Sequence, residues 1–235
     1  NSLVGSAANE NLGSYVVALK QGANLGNAYV DSFNATSGSF ALAGRAFILG
    51  APVTGTPATD TTFANAPATD VTIGADNIAA TLNADTNVVL QANNDIIQEA
   101  GAGITATGLG NLTMQAGRSV IMKDAINISG TLNVIANDPN AVAVNRSAGT
   151  AVVDARLATL TASAINLGNS GGDILLNAIT ASGAVTFNAS GSTILSGTNN
   201  FTSLVDVQGG GLGTAATSIT TISGTVRLAD NVWLN

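Results

Sequence analysis

An apolar–polar–apolar triplet recurs along this chain at a nearly constant interval. Val88/Leu90 is followed by Leu112/Met114, Leu132/Val134, Ile165/Leu167, Val185/Phe187, Val205/Val207 and Val226/Leu228. From Leu112 onward the steps are 20, 33, 20, 20 and 21 residues. The residue between each pair is polar (Thr113, Asn133, Asn166, Thr186, Asp206, Arg227), except Val89. Alternation with a period of two is the mark of a strand with one buried face. A small-residue corner precedes several copies, as in Ile128-Ser129-Gly130, Ala181-Ser182-Gly183 and Ile222-Ser223-Gly224, with a weaker form at Gly108-Leu109-Gly110.

Two further columns follow the first. Ile96-Ile97, Val120-Ile121, Ile174-Leu175 and Ile194-Leu195 form one; Ile104, Ile126/Ile128, Ile179 and Ile222 form a looser one. Three short strands in every turn of about 20 residues describe a three-sided solenoid. The expected fold is therefore all-β: a parallel β-helix with coils of about 20 residues, right-handed by the crossover rule for parallel strands. Strand texture at 14–19, 38–42 and 45–49 extends it toward the start, for roughly ten coils in all. No long amphipathic helical periodicity is evident. The whole of 1–235 reads as a single β-helix. Because it begins and ends in repeat-like sequence, it is expected to be a piece of a longer protein.

Two segments break the pattern. Residues 51–70 hold Pro52, Pro57 and Pro67 and a doubled Pro-Ala-Thr-Asp, which disfavour a central strand. The 33-residue step contains an insertion at 137–150, marked by the turn sequence Asp138-Pro139-Asn140. Both are expected to be loops carried on the rod, and loops are where a rigid solenoid displays binding groups.

Composition narrows the function. Charged residues make up 9% and the net charge is −7, with seven scattered basic residues, so a nucleic-acid partner is not expected. Cysteine is absent, which removes disulfides and thiolate metal sites. Histidine is absent too, so a serine–histidine triad cannot be assembled within these residues. No apolar stretch is long enough for a membrane helix, and no signal peptide is expected at Asn1.

Candidate chemistry is thin. Asp124, Asp154, Asp173 and Asp206 fall on different columns or corners and read as solvated surface charge rather than an acid/base pair. Gly171-Gly172-Asp173 and Gly209-Gly210-Gly211 are only shadows of a calcium-binding repeat and read as corners. Thr159/Thr161 and Thr220/Thr221 do not read as a regular column of the kind an ice-binding face would need. Sequons stand at Asn34, Asn111, Asn127, Asn145, Asn188 and Asn200, a number this composition produces by chance; Asn145 reads as the most exposed. No catalytic, cofactor or metal residue is expected, and no enzyme activity.

The stretches Asn87–Ile96 and Gly110–Gly117 resemble the repeat phrasing of the β-helical shafts of large secreted adhesins of the filamentous haemagglutinin type, exported by two-partner secretion. Tyr15–Leu49 is similar to coils such proteins place near the end of their amino-terminal region. The Asn-Pro-Asn motifs of their secretion-guiding domain find only Asp138-Pro139-Asn140 here, inside the insertion, which places the chain in the shaft. The resemblance implies a non-catalytic, structural and adhesive role at the surface of a Gram-negative bacterium. It implies as partners an outer-membrane secretion protein, acting outside these residues, and a glycan or protein on host cells or other bacteria, with lateral or end-to-end self-association possible. The alternative is a carbohydrate-active or glycan-binding β-helix, which rests on fold analogy alone.

Overall fold

A computed structural model describes residues 72–214 throughout. It also describes Phe63 and the backbone of short strands between 15 and 71 and between 219 and 233. The chain is a β-solenoid of about six turns, with coils about 20 residues apart and every strand pairing parallel. Its strands stack in three columns, one per side. The first face runs Tyr15–Val16, Gly38–Gly44, Thr86–Ala92, Leu112–Ala116, Thr131–Ala136, Ala164–Asn169, Val185–Ala189, Val205–Gly209 and Val226–Leu228. The second includes Ile96–Gln98, Val120–Met122, Thr193–Leu195 and Leu212–Thr214; the third includes Ile104–Ala106, Ile126–Ile128, Thr198–Phe201 and Ile219–Ile222. Two long strands, Val153–Ala162 and Ile174–Ala181, run through the corner and join the second and third faces.

The first-face register is the one the triplets predict. Leu132 pairs with Leu112 and Ile165, and Val185 pairs with Ile165 and Val205. Within the triplets whose side chains are described the outer residues are buried, with Leu112, Met114, Leu132, Val134, Val185 and Phe187 fully so, and the middle one is at least partly exposed except Asp206. A stacked Val, Ile or Leu of this kind contributes about 1.5–3 kcal/mol on full burial.

Two columns needed correction. On the second face Ile174 pairs with Thr193 and Leu176 with Leu195, so Leu195 faces the bore and Ile194 does not. The polar Thr193 occupies an inward position, which hid the register. On the third face Ile126, Leu160 and Ile179 stack in one row, whereas Ile222 is in backbone register with Phe201, in the row beside it.

Six of the nine first-face strands, from Thr86–Ala92 to Val205–Gly209, lie in the fully described residues, and ahead of them some length is spent outside the first face. Strand Asp70–Gly74 lies between Ala28–Val30 and Ala46–Gly50 in the second-face sheet, instead of starting a new coil. It feeds a helix, Ala75–Asn83, in a chain expected to be all-β. Ala75, Ile78 and Leu82 recur at helical spacing and are buried, and Asp76 sits favourably in the first turn. Nine residues without a capping side chain left little signal. The helix packs against the strand Ile104–Ala106, at the position a preceding third-face strand would occupy. Residues 51–69 lie outside the described residues, Phe63 excepted.

Corners are tight because successive backbones nearly touch there. A Cβ on Gly130 would overlap the carbonyl oxygen of Gly110, and one on Gly183 would sit 2.5 Å from the carbonyl oxygen of Ser163. Gly183→Ala is thus expected to cost about 1–3 kcal/mol. Urea unfolding should show a lowered midpoint; an unchanged midpoint would mean the corner relaxes freely.

Candidate functional site

The insertion at 137–150 is built into the rod. The strand Thr131–Ala136 ends at Asn137, whose φ of 54° turns the chain outward. The loop then folds back over the corner of earlier coils, between the first and second faces. That corner is the run Asn93-Asn94-Asp95, all three at most 5% exposed. Burial of three polar side chains requires partners, and the loop supplies several. Asn93 Oδ1 accepts the Val142 N–H at 2.8 Å, and Asn94 Oδ1 accepts the Ser147 N–H at 3.0 Å.

Asp95 and Arg118 are the centre of this corner. Arg118 Nε donates to Asp95 Oδ1 at 2.9 Å while its Nη2 donates to Oδ2, a two-pronged ion pair. Asp95 Oδ1 also accepts the Ser119 N–H at 2.9 Å. Arg118 Nη1 reaches the Ala148 carbonyl at 3.2 Å, and the hydrogen bond to Asp95 raises the arginine pKa further above its ordinary range. Below the loop, Gln91 donates to Gln115, which donates to Asp138. Arg146 points inward, donating to Asn137 Oδ1 and to the Asp138 carbonyl.

The two excursions meet here. Asn93 Nδ2 donates to the Phe63 carbonyl at 3.2 Å, while its Oδ1 holds Val142. One amide thus ties residues from both 51–70 and 137–150 to a single corner. The outermost part of the insertion is Ala143–Val144 and Ser147–Thr150, with Val144 86% exposed.

The four aspartates are not brought together: Asp173 is exposed, Asp124 and Asp154 are half-buried and Asp206 is buried, and each carries a hydrogen bond. Asp124 accepts the Gly101 and Ala125 N–H groups, and Asp173 accepts the Ser192 N–H. Asp206 is buried and bonded to Gln208. Asn87, Asn111, Asp85 and Asn199 likewise accept backbone N–H groups of a neighbouring coil. Asp85, Asn87, Asn111, Asp124, Asp173 and Asn199 thus act as brackets between coils. Among the described residues no group of His, Cys, Asp or Glu is disposed to hold a metal. Gly171-Gly172-Asp173 is a corner: a Cβ on Gly172 would overlap the Ala151 carbonyl oxygen.

Asp154 pairs with Arg156 through Nε–Oδ1 at 3.0 Å and Nη2–Oδ2 at 2.6 Å. Burial works to raise the Asp154 pKa, but the hydrogen bonds and charge of Arg156 together hold it below the usual carboxylate range. A depressed carboxylate stabilises the fold above its unfolded-state pKa, and that contribution fades as pH falls through the folded value. Arg156 is 60% exposed, so the gain is under about 1 kcal/mol. Asp154→Asn should therefore be slightly less stable than the parent at pH 7 and equal to it at pH 2, by thermal unfolding.

Sequon placement also differs from expectation. Asn145 is half-buried, whereas Asn127, Asn188 and Asn200 are exposed on strands; Asn34 lies outside the described residues. Thr161 falls in the same ladder position as Thr180, and that ladder reaches Thr221 through Asn200. Thr159 and Thr220 pair instead with Ala178 and Asn199, so no all-threonine column forms; the Thr161 ladder mixes threonine with asparagine.

The chain matches no family model, no curated protein and no solved structure.

Proposed function

We propose that the chain is a segment of the rigid shaft of a large secreted surface adhesin of the filamentous haemagglutinin type. In this reading the shaft performs no reaction. It sets reach, and the loops fastened to it make the contacts. One observation carries the proposal: two excursions from an otherwise regular rod are fixed to the same buried corner, through Asn93, while the rod's own acidic residues serve as brackets. A loop held by several buried hydrogen bonds is pre-organised, so little ordering entropy is lost when it binds.

Such a protein would reach the cell surface through an outer-membrane partner that acts on a region outside these residues. Its target would be a glycan or a protein on host cells or other bacteria. The exposed Val144 is the natural contact residue, since its apolar side chain has no cover.

The test uses the purified chain immobilised on beads. Val144→Asp should cut bead attachment to epithelial or bacterial cells at least about tenfold, with the circular dichroism spectrum unchanged. Equal attachment by parent and variant would remove the loop from the binding surface. Turnover of an acidic polysaccharide, lost on a single Asp-to-Asn change, would replace the whole reading with a carbohydrate-active one.

A further inference from the structure

One peptide bond in the insertion carries its own chemistry. Of the four prolines only Pro139 follows an aspartate; the others follow Ala51, Thr56 and Ala66. In an Asp-Pro pair the aspartate carboxyl can close a five-membered ring onto its own backbone carbonyl carbon. The proline nitrogen, which carries no hydrogen, takes the proton as it leaves. Such an intramolecular attack gains an effective concentration of up to about 10⁵–10⁸ M when its groups are oriented. In an unfolded chain neither the carboxyl nor the carbonyl is held, and the bond breaks slowly.

The fold holds both groups. Asp138 is 2% exposed, and its N–H donates to the Ala116 carbonyl at 2.9 Å. Its Oδ2 accepts Gln115 Nε2 at 3.1 Å, while Oδ1 accepts the N–H and the side-chain amide of Asn140 at 2.9 and 3.0 Å. The carbonyl oxygen of the Asp138–Pro139 bond accepts two donors, Arg146 Nη2 and the Ala141 N–H, each at 3.2 Å. Two donors on an acyl oxygen, one of them cationic, stabilise the negative charge of a tetrahedral intermediate. Arg146 is itself placed by Asn137 Oδ1 at 2.7 Å, and its buried Nε has no partner among the described residues. A simple turn needs the Asn140 contact; it does not need an arginine brought back onto the same carbonyl. Pro139 and Asn140 are exposed, so water has access beside the bond.

We propose that Asp138–Pro139 is a self-cleavage site, with Asp138 as nucleophile and Arg146 as the group that stabilises the oxyanion. A carboxyl oxygen of Asp138 attacks the Asp138 carbonyl carbon. The bond from that carbon to the Pro139 nitrogen breaks, and the carboxyl proton passes to the nitrogen, which leaves as a secondary amine. A cyclic anhydride remains on Asp138, and one water opens it to the side-chain and terminal carboxyl groups. The step starts from the neutral acid, so its rate rises as pH falls from 7 to 4. Arg146 is the charged group bonded to Asp138; Gln115, Asn140 and the Ala116 carbonyl are neutral. The event is a single one on the chain's own backbone and does not depend on the adhesive reading. The rod should survive it. Thr131–Ala136 stays paired with Ala164–Asn169 across the break, and Asn93 and Asn94 still hold Val142 and Ser147.

The purified chain is incubated at pH 4 and at pH 7, folded and in concentrated urea, then run on a denaturing gel, with fragment ends read by mass spectrometry. The folded parent should divide into 1–138 and 139–235, faster at pH 4 than at pH 7. At pH 4 it should do so at least about tenfold faster than the chain in urea. Under native conditions the two pieces should elute together. Asp138→Asn, which keeps the acceptor for Asn140 but lacks the acid, should slow cleavage at least about tenfold. Arg146→Gln should slow it at least about tenfold at each pH, with circular dichroism and melting temperature unchanged. If Arg146→Gln fails to fold, the comparison of folded parent with parent in urea decides alone. An intact parent at pH 4 would overturn the proposal, as would equal rates in the folded and urea-unfolded chain. Cleavage of Asp138→Asn at the parent rate would assign the cut to a contaminating protease and overturn it too.

Discussion

Phe187→Ala is expected to lower stability by about 3–5 kcal/mol, the range for emptying a buried phenylalanine site. Phe187 is fully buried on the first face, in register with Leu167 and Val207. Its ring meets Phe201 of the third face edge-on, with centroids 6.2 Å apart and planes at 77°. Truncation therefore removes stacking along the axis and contact across the bore. Packed coils can collapse only partly into the space, because each strand is hydrogen-bonded to two neighbours. Guanidinium unfolding should give the midpoint shift, and Phe187→Leu should recover most of it. In a solenoid each coil depends on the next, so hydrogen exchange should rise most between about 165 and 209. A loss below about 1 kcal/mol would show that the bore at this level is loosely filled.

Asp95→Ala should be the most damaging polar substitution, costing about 3 kcal/mol. The Asp95 side chain is 7% exposed and binds Arg118 twice and the Ser119 N–H once. Its removal leaves a guanidinium without its partner and a backbone donor without an acceptor. The cost lies at the low end for a buried pair because Arg118 is 28% exposed and water can reach it. The distinctive readout is local. Arg118 also holds the insertion through the Ala148 carbonyl, so trypsin should cut after Arg146 faster in the variant. Equal cleavage in the two proteins would separate the ion pair from the loop.

Much of the architecture was legible before the fold was known. Leu112, Leu132, Ile165, Val185 and Val205 stack as their spacing requires, because the alternation that buries them is a property of consecutive residues. The second column slipped by one at Ile194, since Thr193 faces inward and the apolar signal there belongs to the outward neighbour. The helix at Ala75–Asn83 escaped notice because alanine is abundant everywhere in the chain, and Ile78 and Leu82 alone make a short stripe.

The candidate sites were less readable. The sequence by itself determined a solenoid, the inward rows of its first face and the corners. Each of these follows from spacing and from local side-chain period. Only the tertiary structure decided that the insertion folds back onto Asn93 and Asn94, 49 and 53 residues from its bonding partners Val142 and Ser147. It alone placed Thr161 in line with Thr180 and Asn200, because a ladder depends on the length of every intervening corner. Hydrophobic burial repeats with the coil and so leaves its period in the chain. Polar meetings join residues at irregular separations, with Asn, Asp and Thr interchangeable in role, and they become visible only once the coils are stacked.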